Sequence, residues 1–223
     1  MISRPWLNQY EPNLPHTLQP YPDQTLLDVM RATVSQRPDH TALIFKGMRM
    51  SYARLEELTN AFGAALVAQG VAKGDRVALL LPNSPQSVIA QLGAWKAGAI
   101  VSPINPLYTA HELEHALNEI GAQTVVVLTS FYEKVKSLQP RTDVRRVIAT
   151  NIKEYLPAHL RLLFTLAKEK KEGHRVKLHP EDLAWQDLMR QYSGAARPAV
   201  ALASTDPAIL LFSGGTTGTP KAA

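Results

Sequence analysis

From Val77 to Ala149 short apolar runs alternate with stretches of helical spacing, and this alternation constrains the fold more than any other feature. Val77–Leu81 is continuously apolar. Ser84-Pro85 then reads as an N-cap with proline at the first helical position, opening a helix to Lys96. Ile100–Pro103 is the next strand, and Thr109-Ala-His-Glu112 is a capping box that starts a helix to Ile120. Val125–Leu128, a short helix Tyr132–Ser137 and a strand Arg146–Ala149 complete the run. Strands without polar alternation are buried on both faces. Joined by helices of about a dozen residues, they predict an α/β fold, a parallel sheet layered with helices on both faces. Ligands of such sheets sit at the carboxyl ends of the strands.

The flanks are simpler. Residues 1–24, with Pro5, Trp6, Tyr10, Pro12, Pro15, Pro20, Tyr21 and Pro22, read as an extended arm. Thr25 caps a first helix that ends before Pro38. Thr41–Phe45 and Met48–Ser51 flank Lys46-Gly47 as a hairpin. A second helix runs from Tyr52 to about Gln69 and stops at Gly70. Residues 25–223 are thus expected to form one α/β subdomain. Cysteine is absent, which excludes disulfides, thiolate metal sites and cysteine nucleophiles and agrees with a cytoplasmic setting. No apolar run approaches the length needed to cross a membrane, and the first residues lack the apolar core of a signal peptide.

The net charge of +5 is local: residues 134–177 hold twelve Lys/Arg against four Asp/Glu, and the remainder is slightly acidic. With no basic stripe interleaved by aromatics, a nucleic-acid partner is not expected.

The last stretch, Leu210 to Lys221, carries the chemistry. Ala208–Phe212 reads as a buried parallel strand that empties into a loop. Gly214, Gly215 and Gly218 let backbone N–H groups converge without a Cβ in the way. Ser213, Thr216, Thr217 and Thr219 add hydroxyls, and Lys221 adds a cation. Converging N–H groups and an ammonium suit a polyphosphate, although a plain solvated Gly/Thr loop has the same composition. A Walker loop is excluded because Lys221 follows Pro220 and Ala222 stands where its metal-binding hydroxyl belongs. A dinucleotide fingerprint is excluded because no G-x-G-x-x-G crosses the loop.

The order Ser213-Gly-Gly-Thr-Thr-Gly-Thr-Pro-Lys221 resembles the phosphate loop of the AMP-forming acyl-adenylate family, and its double glycine is most like the long-chain fatty acid–CoA ligases. Ser51-Tyr-Ala-Arg-Leu55 is similar to the family's S-Y-x-E-L block, with Arg54 in place of Glu. Trp95-Lys-Ala-Gly98, running on through Pro103 to Pro106, is similar to its L-K-A-G block, with Trp95 in place of Leu. Both blocks read as structural rather than chemical. The resemblance implies the N-terminal part of the acyl-adenylate-forming fold and, for the full-length parent, an ATP-dependent fatty acid–CoA ligase using Mg²⁺ and coenzyme A. It implies Ser213, Gly214, Gly215, Thr217 and Gly218 in the phosphate cradle, Lys221 in charge neutralisation and Thr216 as the Mg²⁺ contact, with the loop spanning 213–221. Complete members carry further segments that supply the acyl pocket and a C-terminal lysine, so this chain alone is expected not to turn over. An aryl-CoA ligase, a peptide-synthetase adenylation domain, and a non-catalytic membrane or protein interaction module stay open as alternatives.

Other constellations tempt. His111-Glu-Leu-Glu-His115 satisfies H-E-x-x-H, but at about 100° per residue its histidines lie opposite the apolar stripe of Leu113, Ala116, Leu117 and Ile120. No zinc site is expected there. Glu56-Glu57 and Glu181-Asp182 are adjacent carboxylates that do not face each other on a helix and read as solvated surface. Gly-x-Ser-x-Gly is absent. Residues 153–178 form a basic amphipathic insertion. Leu156, Leu160, Leu163, Phe164 and Ala167 share one helical face, widened by Leu162 and Leu166, before Lys168, Lys170, Lys171, His174, Arg175 and Lys177. Such a helix at 155–177 suits docking on the body or on the remainder of the enzyme first, and peripheral contact with an anionic membrane second. The N-terminal arm is the candidate for homodimer contact.

Overall fold

The computed structural model describes residues 4–213 and 221–223. β1 (Thr41–Phe45) and β2 (Met48–Ser51) form an antiparallel hairpin. Lys46 and Gly47 at its tip both take positive φ, the left-handed turn such a short connection needs. The main sheet holds β3 (Arg76–Leu80), β4 (Ile100–Pro103), β5 (Thr124–Leu128), β6 (Arg146–Thr150) and β7 (Leu183–Ala184). Their order is β4-β3-β5-β6-β7, and every neighbouring pair is parallel.

Successive residues of each strand face opposite sides, so one apolar run feeds two cores. Val77, Leu79, Val126, Leu128 and Ile148 pack under α2 (Tyr52–Ala68), α3 (Pro85–Lys96) and α7 (Trp185–Gln191). Ala78, Leu80, Val125, Val127 and Val147 pack under α4 (Ala110–Glu119) and α5 (Tyr132–Leu138). Thr25, Ser84 and Thr109 cap α1 (Leu26–Gln36), α3 and α4, each in a reciprocal capping box. α2 and α3 touch where neither has a side chain: a Cβ on Gly63 would lie 2.9 Å from the Gly93 carbonyl, and one on Gly93 would lie 2.8 Å from the Phe62 ring.

Two elements were not anticipated. β7 is two residues long, too short for a periodicity to show, and α7 buries Trp185, Leu188 and Met189 over only two turns. The expected buried strand Ala208–Phe212 is also different. It runs parallel to β4 through the bridge Val101↔Ile209, but Ala208–Leu210 are half-buried and Leu211 is exposed. β4 is the edge of the sheet, and among the described residues no further strand covers the far side of 208–212. The arm contains a short 3-10 turn, Pro5–Gln9, and leaves Trp6, Leu14, Leu18 and Tyr21 exposed.

At the other edge Tyr132 is buried and donates its hydroxyl to Asp182, while accepting the His179 N–H at 2.8 Å. Burial, followed by the Asp182 hydrogen bond, pushes the phenol up to about 12. A raised folded pKa means that the neutral phenol's contribution is whole below pH 10 and is lost as pH climbs from 10 to 12. We expect denaturation midpoints of the native chain to fall over that window. Tyr132→Phe should lack that part of the slope and lose about 1 kcal/mol at pH 8 through the missing hydrogen bonds. Parallel slopes for the two proteins would refute the assignment.

Candidate functional site

The loop is gripped at its neck. Leu211 and Ala223 exchange N–H···O bonds of 2.9 and 3.0 Å, and the Ser213 N–H donates to the Lys221 carbonyl at 3.0 Å. With the antiparallel bridge Phe212↔Ala222, these bonds make 211–213 and 221–223 the two arms of a hairpin. The Ser213 hydroxyl also donates to the Lys221 carbonyl, at 3.3 Å. The two ends of the expected phosphate loop are therefore side by side. Because 208–210 runs parallel to β4, the neck emerges past the carboxyl end of that strand. Lys221 is exposed and makes no ion pair among the described residues. Gly214, Gly215, Thr216, Thr217 and Gly218 lie outside the described residues.

The segment leading to the neck is tied to the block Trp95–Pro106. The Val101 N–H and the Trp95 indole N–H both donate to the Ala208 carbonyl, at 3.0 and 2.6 Å. The Leu210 N–H donates to the Val101 carbonyl at 2.8 Å, and the Ser102 hydroxyl donates to the Leu210 carbonyl at 2.9 Å. Farther back, Lys73 meets the Asp206 carboxylate at 2.7 Å and the Ala201 carbonyl at 3.0 Å.

Lys96, the cation of the same block, does not face the loop. It is buried against α2, with Glu56 Oε2 and Thr59 Oγ1 at 2.7 Å and Asn60 Oδ1 at 2.8 Å. Burial holds its ammonium below the ordinary lysine range, and Glu56 pulls the other way. The carboxylates read as solvated surface are corrected accordingly. Glu56 serves Lys96, and Asp182 is buried between Tyr132 and Lys136. Arg54, the departure from S-Y-x-E-L, pairs with Glu57. On α4, Leu113, Ala116 and Leu117 are buried and His111 is exposed, as expected, whereas His115 is half-buried rather than turned wholly to solvent. Among the described residues no three His, Cys, Asp or Glu gather as a metal site.

The insertion is fastened by polar groups that sequence periodicity does not reveal. Asn151 Nδ2 donates to Glu169 Oε1 at 3.0 Å and to the His174 carbonyl at 3.3 Å, and Lys153 pairs with Glu169. His174 Nδ1 lies 2.9 Å from Thr129 Oγ1, and its ring meets Phe164 edge-on. Burial lowers the His174 pKa, which keeps the ring neutral. Once held this way, α6 (Ala158–Ala167) splits its expected apolar face. Leu160 and Phe164 turn inward and are half-buried, whereas Leu162, Leu163 and Leu166 point outward, 60%, 60% and 76% exposed. Part of the sequence signal was available: Glu169 interrupts the basic run.

Comparison with known proteins identifies the family. The family model for AMP-binding enzymes matches residues 30–223. A long-chain-fatty-acid–CoA ligase of Bacillus subtilis is 34% identical over 98% of the chain, which spans 39% of that protein. Tyrocidine synthase 2 of Brevibacillus parabrevis is 35% identical over 55% of the chain and 3% of its own length. Among solved structures, a long-chain-fatty-acid-CoA ligase of Archaeoglobus fulgidus is 25% identical with a TM-score of 0.66. That match covers 91% of this chain and 36% of the other.

Proposed function

This chain belongs to the AMP-binding enzyme family, and we propose that it is the N-terminal portion of an ATP-dependent, AMP-forming fatty acid–CoA ligase of the long-chain type. The observation that carries the reading is the hairpin neck that sets Ser213 beside Lys221 at the carboxyl edge of a parallel sheet. The extent of the likeness supports the substrate class, since the fatty acid ligase of Bacillus subtilis matches nearly the whole chain and the peptide synthase only half.

In the proposed reaction a carboxylate oxygen bonds to the α-phosphorus of ATP as the bond to the departing pyrophosphate breaks. The thiol of coenzyme A then attacks the acyl carbon and displaces AMP. The first step asks a protein to orient and neutralise a triphosphate, which is positioning plus electrostatics. Lys221 supplies the charge and Ser213 a hydroxyl at the mouth of the loop, with Gly214, Gly215, Thr217 and Gly218 completing the cradle. Mg²⁺ would screen the phosphates. Thr216, its implied contact, is outside the described residues.

The test is acid-dependent exchange of labelled pyrophosphate into ATP. The complete ligase carrying this chain should catalyse it with long-chain acids, and the 223-residue chain should not. Lys221→Met in the complete enzyme should lower kcat/KM for ATP about 10–100-fold, the worth of a charge-assisted contact. Exchange driven by amino acids or aryl acids would move the protein to the alternative adenylating classes, and no exchange at all would leave a binding module.

The same reading includes contact with an anionic membrane surface through 155–177. Its support is the outward stripe Leu162, Leu163 and Leu166, followed in the chain by exposed Lys170, Lys171, Arg175 and Lys177, four cations without an ion pair among the described residues. No helix among them is long and apolar enough to cross a membrane. We expect the chain to float with vesicles containing phosphatidylglycerol but not with pure phosphatidylcholine, and to be released by high salt. Leu162→Ser/Leu166→Ser should abolish flotation. Undiminished binding by that variant, or none by the native chain, removes membrane contact from the proposal.

A further inference from the structure

We propose that Trp95 and Ser102 are positioning residues of the phosphate loop, acting through the segment that delivers it; the inference rests on the function proposed above. Residues 208–210 lie outside the edge strand and are half-buried, with Leu210 packed against the core beneath α4 and α5 and, among the described residues, no further strand on their far side. Four hydrogen bonds from the sheet and α3 hold them. The two backbone bonds both go to one residue, Val101. Alone, they make a pivot about which the segment can swing.

The two side chains remove that freedom by bracketing the pivot. Trp95 seizes the Ala208 carbonyl on the upstream side. Ser102 seizes the Leu210 carbonyl, three residues before Ser213. Two fixed carbonyls on either side of Ile209 define a direction as well as a place, and the neck that follows inherits both. The chemistry suits the task. An indole N–H is a donor with no competing acceptor role. The Ser102 side chain belongs to a fully buried residue and has no other hydrogen-bond partner among the described residues. The block similar to L-K-A-G carries tryptophan here where leucine is usual, and leucine has nothing to donate. In this chain the substitution adds a grip on the strand that leads to the loop.

Trp95→Phe, Ser102→Ala and Ser102→Thr test this, the last keeping the hydroxyl. In the 223-residue chain, hydrogen exchange of the Leu210, Ser213 and Ala223 amides should quicken about 3–10-fold in the first two variants, the worth of one hydrogen bond. The amides of Leu80 and Val126 in the central strands should keep their native rates. In the complete ligase the KM for ATP should rise by a similar factor while the KM for fatty acid and for coenzyme A stays put, with Ser102→Thr close to the native enzyme. Unchanged exchange at Leu210 and Ser213 overturns the proposal. So does a shift shared equally by all three KM values, which is what general loosening of the fold would give. If the native ligase forms no adenylate, the proposed function fails, and the exchange measurements still decide whether Trp95 and Ser102 hold the segment.

Discussion

Replacing Lys96 by alanine is expected to destabilise the chain by about 3–5 kcal/mol, among the largest losses open to a single substitution outside the sheet. The ammonium is 1% exposed and has three oxygen partners, all on one turn of α2: Glu56, Thr59 and Asn60. Alanine deletes the cation and leaves the Glu56 carboxylate, 23% exposed, facing the hole. Asn60 also loses its Lys96 partner and Thr59 keeps only its bond to the Glu56 carbonyl, and burial makes an unmet polar group costly. Lys96 lies in the last turn of α3, where the helix dipole favours a positive charge. Lys96→Met fills the volume without the charge and should be milder, and Lys96→Met with Glu56→Gln milder still, because no carboxylate is then stranded. Urea unfolding of these proteins, with Glu56→Gln alone added to close the Lys96→Met/Glu56→Gln cycle, measures the coupling. A cost below about 1 kcal/mol for the alanine variant would mean that Lys96 reaches water, contrary to its place between α2 and α3.

Lys96 also shows what could be read from the sequence and what could not. Its helix was legible to the residue, because Ser84-Pro85 is a local signal and needs no knowledge of the fold. The same holds for the capping box at Thr109 and the hairpin at Lys46-Gly47. The sheet was legible because each strand is apolar on both faces. The partners of Lys96, by contrast, are about forty residues away, and only assembly brings α2 against α3. The block reads as structural, but nothing local names the partners its lysine would take. Asp182 and Glu56 were misread as surface for the same reason: a carboxylate's environment is tertiary. On α6, periodicity grouped the leucines correctly as a helix but could not say which side faces in. That was decided by Glu169 and His174, which anchor the segment after the helix. The loop is the opposite case. Composition marked it out, and what only the fold supplies is the pair of carbonyls held by Trp95 and Ser102.

Trp185→Ala should cost about 3–5 kcal/mol, the usual loss for emptying a buried aromatic site. Trp185 is 1% exposed and stacks on Phe62, with ring centroids 4.4 Å apart and planes 29° from parallel. Phe62 is itself fully buried and lies where a Cβ on Gly93 would intrude, so the stack is the third layer of the α2–α3 contact. Neither helix can slide into the vacancy. Their approach is already limited by backbone, with the Gly93 carbonyl against Gly63. A cavity that cannot collapse sits at the upper end of the observed range. The indole N–H also donates to the Tyr155 hydroxyl at 3.3 Å, which ties the start of α7 to the turn before α6. Trp185→Phe keeps part of the stack and loses the hydrogen bond, and we expect about 1–2 kcal/mol from it. Because Trp185 follows β7, the edge strand, loss of the anchor should free that edge first. Hydrogen exchange on Trp185→Ala should then show the amides of α7 opening well before those of β3 and β5. If α7 and the central strands instead lose protection together, the stack is holding the whole upper layer rather than its edge.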